Sequence, residues 1–555
     1  MRLRSTSLLL AFGLSLTAAP ALAAPPPPKS FTVVLKLRDG AERFALDVST
    51  PGNPLYGKFL SPAEFTARYA PTADQVTRVR ALLAKSGFTV GETAEGNRWI
   101  SATASPARLA RAASPDILAI AENTPSVVST SDAPRSAGCS GFWGQQHQDL
   151  PAAYDRTSFP TTLCGYGADQ LQTAYDLKPS LVAGRDGHGV TVAVIGVFDS
   201  PTGFKDANAH ATAYGQPPFA SGQYTRKLFK PFSPSAPCGG RSAWYRSQTR
   251  DVEAVHAVAP GAKVLYVGAR DCAEGIDEAL NWVVQNKPAT IVSNSYVYRG
   301  ENLPAAQIQK THSLLVQAAA EGIGFVYASG DSGDETINGL PAQPDYPASD
   351  PLVTAVGGTS LAIDQAGRRQ FETGWGTALN RVVAGAYPLP QPGTFTAGSG
   401  GGTSTLFAQP DYQRRKVPAA LSRRYGSAPM RVTPDVAAVA DPYTGFVMGQ
   451  TVGGQFGLST TGGTELASSL FAGILALAST DRPTPIGFAN PLLYSLKAAS
   501  FHDILPDRVP LGASTPDGSA LVTFDRDSSL STGYGYDAVT GLGTPDAGFV
   551  TALGS

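Results

Sequence analysis

The chain has 555 residues, with 43 Lys and Arg against 44 Asp and Glu, for a formal net charge of −1. So even a balance excludes the electrostatic footprint of a nucleic-acid or polyanion partner, and the length calls for more than one domain. The 59 Gly and 44 Pro demand many turns, which excludes an architecture of a few long helices.

The chain opens "MRLRSTSLLLAFGLSLTAAPALAAPPPP": Arg2 and Arg4, a short apolar core from Leu8 to Thr17, then Ala21-Leu22-Ala23. This predicts a secretory signal over 1–23, because the core is too short to span a bilayer and polyproline follows. No later run is long enough to cross a membrane. The expected location is secreted, either extracellular or periplasmic, with no membrane partner. In an oxidising compartment Cys139, Cys164, Cys238 and Cys272 suit two disulfides. Three connectivities exist, and sequence proximity favours Cys139–Cys164 and Cys238–Cys272. Zinc is the weaker reading, since no CxxC or CxxH pair occurs.

Residues 29–130 predict a small α+β unit. "FTVVLKL" is a strand. Ser61 with Glu64, and Thr72 with Gln75, are capping boxes that open two helices, the first with Pro62 at its first position. "RWISATAS" and "SVVSTSDAP" are further strands, with "SPARLARAAS" as a helix between them. Residues 131–165 predict an irregular linker suited to proteolysis.

From 166 to 555 strands and helices alternate. The strand "GVTVAVIGVF" is apolar throughout, as when both faces are buried. Helix "QTRDVEAVHAVAP" leads to strand "AKVLYVGA", "GIDEALNWVVQN" to "ATIVSNSYV", and "AAQIQKTHSLLVQAAAEG" to "IGFVYASG". The pattern predicts an α/β fold built on a doubly wound parallel sheet. Sites in such sheets lie beyond the carboxyl ends of the strands, where "SGDSG" (329–333) falls.

Singly, "SGDSG" is a polar turn, "SGGGTS" a flexible loop, Asp251 a solvated acid and "GGTE" a helix start. In this order, with "VHAVAPGAKV", "TPDVAAVADP", "GGTELASSLFAGILAL", "FHDI" and "GYGYDAVTGLGTPD", the set resembles the sedolisin family of serine-carboxyl peptidases. The resemblance implies a subtilisin-like body over 166–555 and a small α+β, ferredoxin-like activation domain (propeptide) over 29–130, where "STPGNPLYGKFLSPAEFTARYAPT" carries it. It implies a polypeptide substrate or protein partner in the cleft, and the chain's own propeptide as a further partner.

The family's chemistry uses a Ser nucleophile, a Glu base, an Asp orienting the Glu four residues on, and an Asp stabilising the oxyanion. By resemblance Asp251 is the orienting acid and Asp331 the oxyanion acid. Glu465 stands where the nucleophile is expected, and Ser247 where the base is. The exchange predicts that the Ser247 hydroxyl donates to Glu465. Ser468 and Ser469 follow one turn deeper and predict packing, as His188 and His256 predict structural roles. The resemblance also implies one Ca2+, held by the carboxylates of Asp503 and Asp537 and the carbonyls of Ile504, Gly533 and Gly535, a hard-oxygen set. Two functional classes follow: a calcium-binding pseudopeptidase, or an active acid-acting serine-carboxyl endopeptidase or tripeptidyl-peptidase with rearranged catalytic residues.

Overall fold

The computed structural model describes residues 28–105, 112–122, 138–389, 393–507, 509–515, 518–527 and 529–554. The expected signal (1–23), most of the expected helix at 105–114 and the expected strand at 126–134 lie outside the described residues.

The first unit is a four-stranded antiparallel sheet with three helices. Strand β1 (Lys29–Leu35) is followed by α1 (Ala41–Ser49), α2 (Pro62–Tyr69) and α3 (Ala73–Lys85). Strands β2 (Thr89–Thr93), β3 (Trp99–Ala104) and β4 (Ile117–Glu122) complete it in the order β2-β3-β1-β4. Both capping boxes form, with reciprocal Ser61–Glu64 and Thr72–Gln75 bonds. Strand β4 was not expected; its "ILAIAE" pairs with β1.

The stretch expected to be a linker over 131–165 is folded from residue 138 onward. Strands β5 (His147–Ala153) and β6 (Arg156–Pro160) form an antiparallel hairpin beside the Cys139–Cys164 disulfide. Phe159 and Leu150 bury against Leu521, and that burial orders a segment with no regular pattern of its own. The second disulfide is Cys238–Cys272, so both favoured pairings form.

The body is a parallel sheet covered on both faces. Its strands are β7 (Thr191–Val197), β8 (Tyr224–Leu228), β9 (Lys263–Ala269), β10 (Ile291–Asn294), β11 (Gly324–Ala328), β12 (Thr354–Ile363) and β13 (Arg369–Gly374). They run β13-β12-β11-β10-β7-β9-β8, with β14 (Val436–Val439) beside β12. Only β13 is antiparallel to its neighbour. One face is covered by α4 (Arg241–Val258) and by α7 (Thr464–Ser479), which packs closely on it; α5 (Glu274–Asn286) and α6 (Ala305–Ala320) cover the other. Helix α7 is buried all round, which explains its uniformly small and apolar composition.

The first unit docks on the α5/α6 face, where Ala41, Ala45, Leu60, Phe65 and Trp99 join the body's apolar cluster. Leu60 N–H donates to the Ala320 carbonyl at 3.0 Å. Arg98 is carried into the body, where it donates to the Ser313 carbonyl at 2.7 Å and also to Gln317 Oε1. Burial pushes Arg98 down to about 10, although Glu321 supplies an opposing charge.

Candidate active site

Three backbone features meet at the carboxyl ends of β10 and β11. Asp331 stands in the turn after β11. Helix α7 starts at Thr464, after Gly463 at φ 93°. Helix α4 passes beside them and presents Ser247, Arg250 and Asp251. A Cβ at Gly463 would stand 2.2 Å from Glu465 Oε2 and 3.1 Å from Asp331 Oδ2, so a side chain is excluded there and both oxygens close over the glycine.

Asp331 caps α7. Its Oδ1 accepts the Thr464 N–H at 2.8 Å and the Thr464 hydroxyl at 3.0 Å, satisfying a free donor of the helix start. Its Oδ2 and the Glu465 Oε2 are both buried and receive no donor from another residue. Two carboxyl oxygens can bond each other only when one carries a proton. Burial, and then the charge of Asp331, hold the Glu465 carboxyl well above the usual range. Asp331 is raised by burial, with Thr464 and Glu465 opposing. Of the two, Glu465 is pushed up further and Asp331 is eased by its bonds to Thr464, so burial favours the neutral form of Glu465 first.

The expected Ser247–Glu465 bond does not form. Ser247 Oγ donates to Asp251 Oδ2 at 3.1 Å on its own helix. The reason is Arg250, whose Nε donates to Asp251 Oδ1 at 2.9 Å and whose Nη2 donates to Ser247 Oγ at 3.2 Å. This ring fixes Ser247 on the α4 side, while Asp331 takes Glu465. The structure thus brings together all four expected residues, Ser247, Asp251, Asp331 and Glu465, in two pairs other than the one expected. Burial raises Asp251, opposed first by Arg250 and also by Ser295 and Ser247. Burial works against the Arg250 charge, but Asp251, then Glu465 and Asp331, outweigh it and hold Arg250 above its ordinary value.

Ser468 donates to the Glu465 carbonyl at 2.9 Å and Ser469 meets Ser293 at 3.2 Å, as packing residues do. His188 is exposed beside Asp186, and His256 stacks on Phe219 at 4.0 Å. Neither reaches this site.

Residues 172–492 match the subtilase family, and residues 21–112 match the pro-kumamolisin activation domain. The chain belongs to the subtilase family. Its similar proteins include kumamolisin, sedolisin and tripeptidyl-peptidase 1. Kumamolisin of Bacillus sp. (strain MN-32) is 33% identical over 304 residues, which are 53% of this chain and 48% of that protein. Sedolisin of Pseudomonas sp. (strain 101) is 28% identical over 548 residues, 92% of this chain and 84% of that one. Tripeptidyl-peptidase 1 of Homo sapiens is 32% identical over 291 residues, 49% of this chain and 45% of that one. The matched region therefore spans about half the length of kumamolisin and of tripeptidyl-peptidase 1. Among solved structures, Pseudomonas sedolisin complexed with two molecules of pseudo-iodotyrostatin superposes with a TM-score of 0.54 at 24% identity. That likeness covers 70% of this chain and 97% of the other, and it shows the subtilisin-like fold.

In this subtilase the expected calcium segments also meet. Strand β15 (Phe501–His502) pairs with β16 (Thr544–Pro545), which brings the 503–504 and 533–537 segments side by side. Gly535 N–H faces both Asp503 oxygens at 3.1 Å, and Gly533 N–H donates to Asp537 Oδ2 at 3.3 Å. Burial pushes Asp537 up to about 7, against bonds from Thr540, Val539 and Gly533. Among the described residues no three His, Cys, Asp or Glu side chains gather as a metal cluster. A cation here would lean on carbonyls, as the expected set of Asp503, Ile504, Gly533, Gly535 and Asp537 does. The donor set, all hard oxygens around a buried carboxylate, fits calcium. No described helix is long and apolar enough to cross a membrane.

Proposed function

We propose that this is a secreted, calcium-binding pseudopeptidase of the sedolisin type, which holds a polypeptide or protein partner in its cleft without cutting it by serine chemistry. The observation that carries the reading is the first turn of α7, where Glu465, at the position the resemblance gives to the nucleophile, lies buried beside Asp331. Loss of a serine hydrolase nucleophile lowers turnover by about 10⁶-fold in a well-studied case. Calcium would be held by Asp503 and Asp537 with the carbonyls of Ile504, Gly533 and Gly535, and would neutralise the buried Asp537 and tie the chain's last segment to the body. The propeptide stays attached, because self-cleavage has no nucleophile to run on and Arg98 is seated inside the body.

One observation favours the second reading, an active acid-acting peptidase with rearranged residues. Ser247 Oγ donates to a carboxylate, Asp251, at 3.1 Å, as a nucleophile does to a base. Against it, Arg250 donates to both groups, which ties Ser247 and Asp251 into a closed ring with Arg250 on α4. An acid peptidase assay on purified full-length protein, with Ser247→Ala and Glu465→Gln beside it, tests the reading. The expected result is no turnover in any of the three. Turnover in the wild type that both changes abolish would overturn it.

A further inference from the structure

Between the first unit and the body lies a cavity of about 300 Å³, on the α5 side of the sheet and so opposite α4 and α7. Glu92 in β2 and Glu95 just before β3 line one wall, and Glu274, Asp277 and Glu278 of α5 line the other. Arg270 is the cation among the described lining residues, and its donors are already taken. Its Nη1 donates to Glu278 at 2.8 Å, its Nη2 to Glu274 at 3.2 Å and its Nε to Asp271 at 3.1 Å. Asp277 pairs with Lys310. Among the described residues no cation pairs with Glu92 or Glu95. A single guanidinium shared among Asp271, Glu274 and Glu278, with Glu92 and Glu95 across the gap, leaves the cavity anionic.

The rest of the lining decides which cation fits. Trp99, Phe229 and Trp282 set aromatic surface beside the carboxylates. The Phe229 and Trp282 rings meet edge to face at 6.3 Å, and the Lys227 ammonium lies over both, 5.3 Å and 4.9 Å from their centres. Aromatic faces attract ammonium groups through the ring quadrupole. Asn281 lines the same cavity and is only 5% exposed. Its Nδ2 donates to the Glu95 carbonyl at 3.2 Å, while its Oδ1 receives no donor. A buried acceptor without a donor is costly, and a ligand bearing N–H groups would supply one. A metal ion fits this lining poorly, because among the described residues no three carboxyls converge as metal ligands do. Carboxylates spread along two walls match charges spread along a chain.

We propose that this cavity binds a small aliphatic polyamine. Its ammonium groups meet Glu92 and Glu95 on one wall and Glu274 and Glu278 on the other, and its methylene chain lies against Trp99 and Trp282. Bound there it bridges the two units and offsets the repulsion between their facing acids. The site is independent of Glu465, so the proposal holds whether or not the chain cuts peptides.

Calorimetric titration of the full-length protein with spermidine at pH 7 and low salt tests it. The expected result is one saturable site with Kd below about 1 mM, weakened by added salt. Glu92→Gln with Glu95→Gln should weaken binding about fivefold or more, and Trp282→Leu about threefold. Asp411→Asn with Asp481→Asn removes as much charge from exposed positions that do not line the cavity, and should leave the affinity unchanged. Butylamine, which has the chain and a single charge, should bind far more weakly than spermidine. No saturable binding, or an equal loss in the Asp411 and Asp481 variant, would overturn the proposal. So would Mg2+ that displaces spermidine at equal concentration, which would make this a metal site. A capped tetralysine peptide that binds more tightly than spermidine would overturn it too, in favour of a protein side chain as the occupant.

Discussion

Two regions of the molecule bury carboxylates, and they balance them by different means. The centre at α4 and α7 carries its own cation: Arg250 reaches Asp251 at 2.9 Å and faces Asp331 and Glu465. The loop at Asp503 and Asp537 has backbone N–H groups and the Thr540 hydroxyl around its carboxylates, with the Gly535 N–H 3.1 Å from Asp503 and the Val539 N–H 2.8 Å from Asp537. Hydrogen bonds stabilise an ionised carboxylate but do not cancel its charge. The first region meets part of its negative charge with a side-chain cation, whereas the second meets its own with dipoles alone.

The largest expected effect comes from dismantling the first arrangement. Ser247→Glu with Glu465→Ser installs the residue types that the sedolisin resemblance expects, yet Arg250 already donates to position 247 at 3.2 Å and would pair with the new carboxylate. The double variant should stay inactive. Adding Arg250→Leu should raise acid peptidase activity at least about a hundredfold over wild type, a small part of the about 10⁶-fold span that a nucleophile commands. A double variant as active as the triple would show that Arg250 is no obstacle.

The next effect is the dependence of stability on pH. Burial pushes Asp441 up to about 6 and Glu321 up to about 7, and it holds Glu465, Asp331 and Asp251 above their ordinary values. A carboxyl whose native pKa is raised binds its proton more tightly in the folded state. Its contribution is complete below the ordinary carboxylate range and is lost as pH rises through the native value. Stability should therefore be highest near pH 4–5 and fall between pH 6 and 8, by a few kcal/mol in total on an order-of-magnitude basis, with the melting midpoint following it. A midpoint that climbs from pH 5 to pH 8 would contradict this sign. Glu465→Gln should flatten the fall, because it removes one of the groups that cause it.

Much of this was legible in the chain itself. The alternation of apolar strands and helices from residue 189 onward matches the sheet, and "GGTE" does open a helix with Glu465 in its first turn. The hairpin at 147–160 was hidden because its turn carries no glycine: Tyr154 and Asp155 take φ of 52° and 58°, a conformation that Asn-Gly usually signals. Arg250 was missed for a different reason. A lone Arg among "SQTRDVE" reads as a solvated helix residue, and only the packing of α7 against α4 buries it. Positions 247 and 251 were picked out by the resemblance, which has no role for position 250, although Arg250 bonds to both of them.

Calcium removal comes third. If the Asp503–Asp537 loop holds the ion, a chelator should remove the binding contribution to stability, about 3–4 kcal/mol at 100–1,000 times Kd, and lower the melting midpoint accordingly. Asp537→Ala should mimic the chelator and abolish the response to it. Arg250→Leu should leave that response intact, because Arg250 bonds to Asp251 and Ser247 and to neither Asp503 nor Asp537. An unchanged midpoint with chelator would assign the loop to hydrogen bonding alone.

The smallest effect lies at the joint between the propeptide and the body, where the two modes of balance can be compared with a third. His312 on α6 sits 2.9 Å from Asp350 and 3.7 Å from Glu42 of α1. Burial opposes its charge, but Asp350 and then Glu42 push it up to about 10, so it is a cation at neutral pH. Glu42 is more than half exposed, and its bond to His312 lowers its own value against partial burial. Water screens the Glu42 side of this triad, whereas Asp350 is fully buried on the other. Glu42→Gln should thus cost no more than about 1 kcal/mol, as exposed pairs do. Asp350→Asn should cost several times more, because it leaves a buried imidazolium with only the exposed partner. Because Glu42 is a carboxylate whose value is depressed, its contribution is present above the ordinary range and lost as pH falls below it, opposite in sign to the Glu465 cluster. Melting of Glu42→Gln against wild type at pH 7 and pH 3 checks both points. A loss at pH 7 as large as that of Asp350→Asn, or one that persists undiminished at pH 3, would mean that exposure does not decide how strongly this molecule's charge pairs hold.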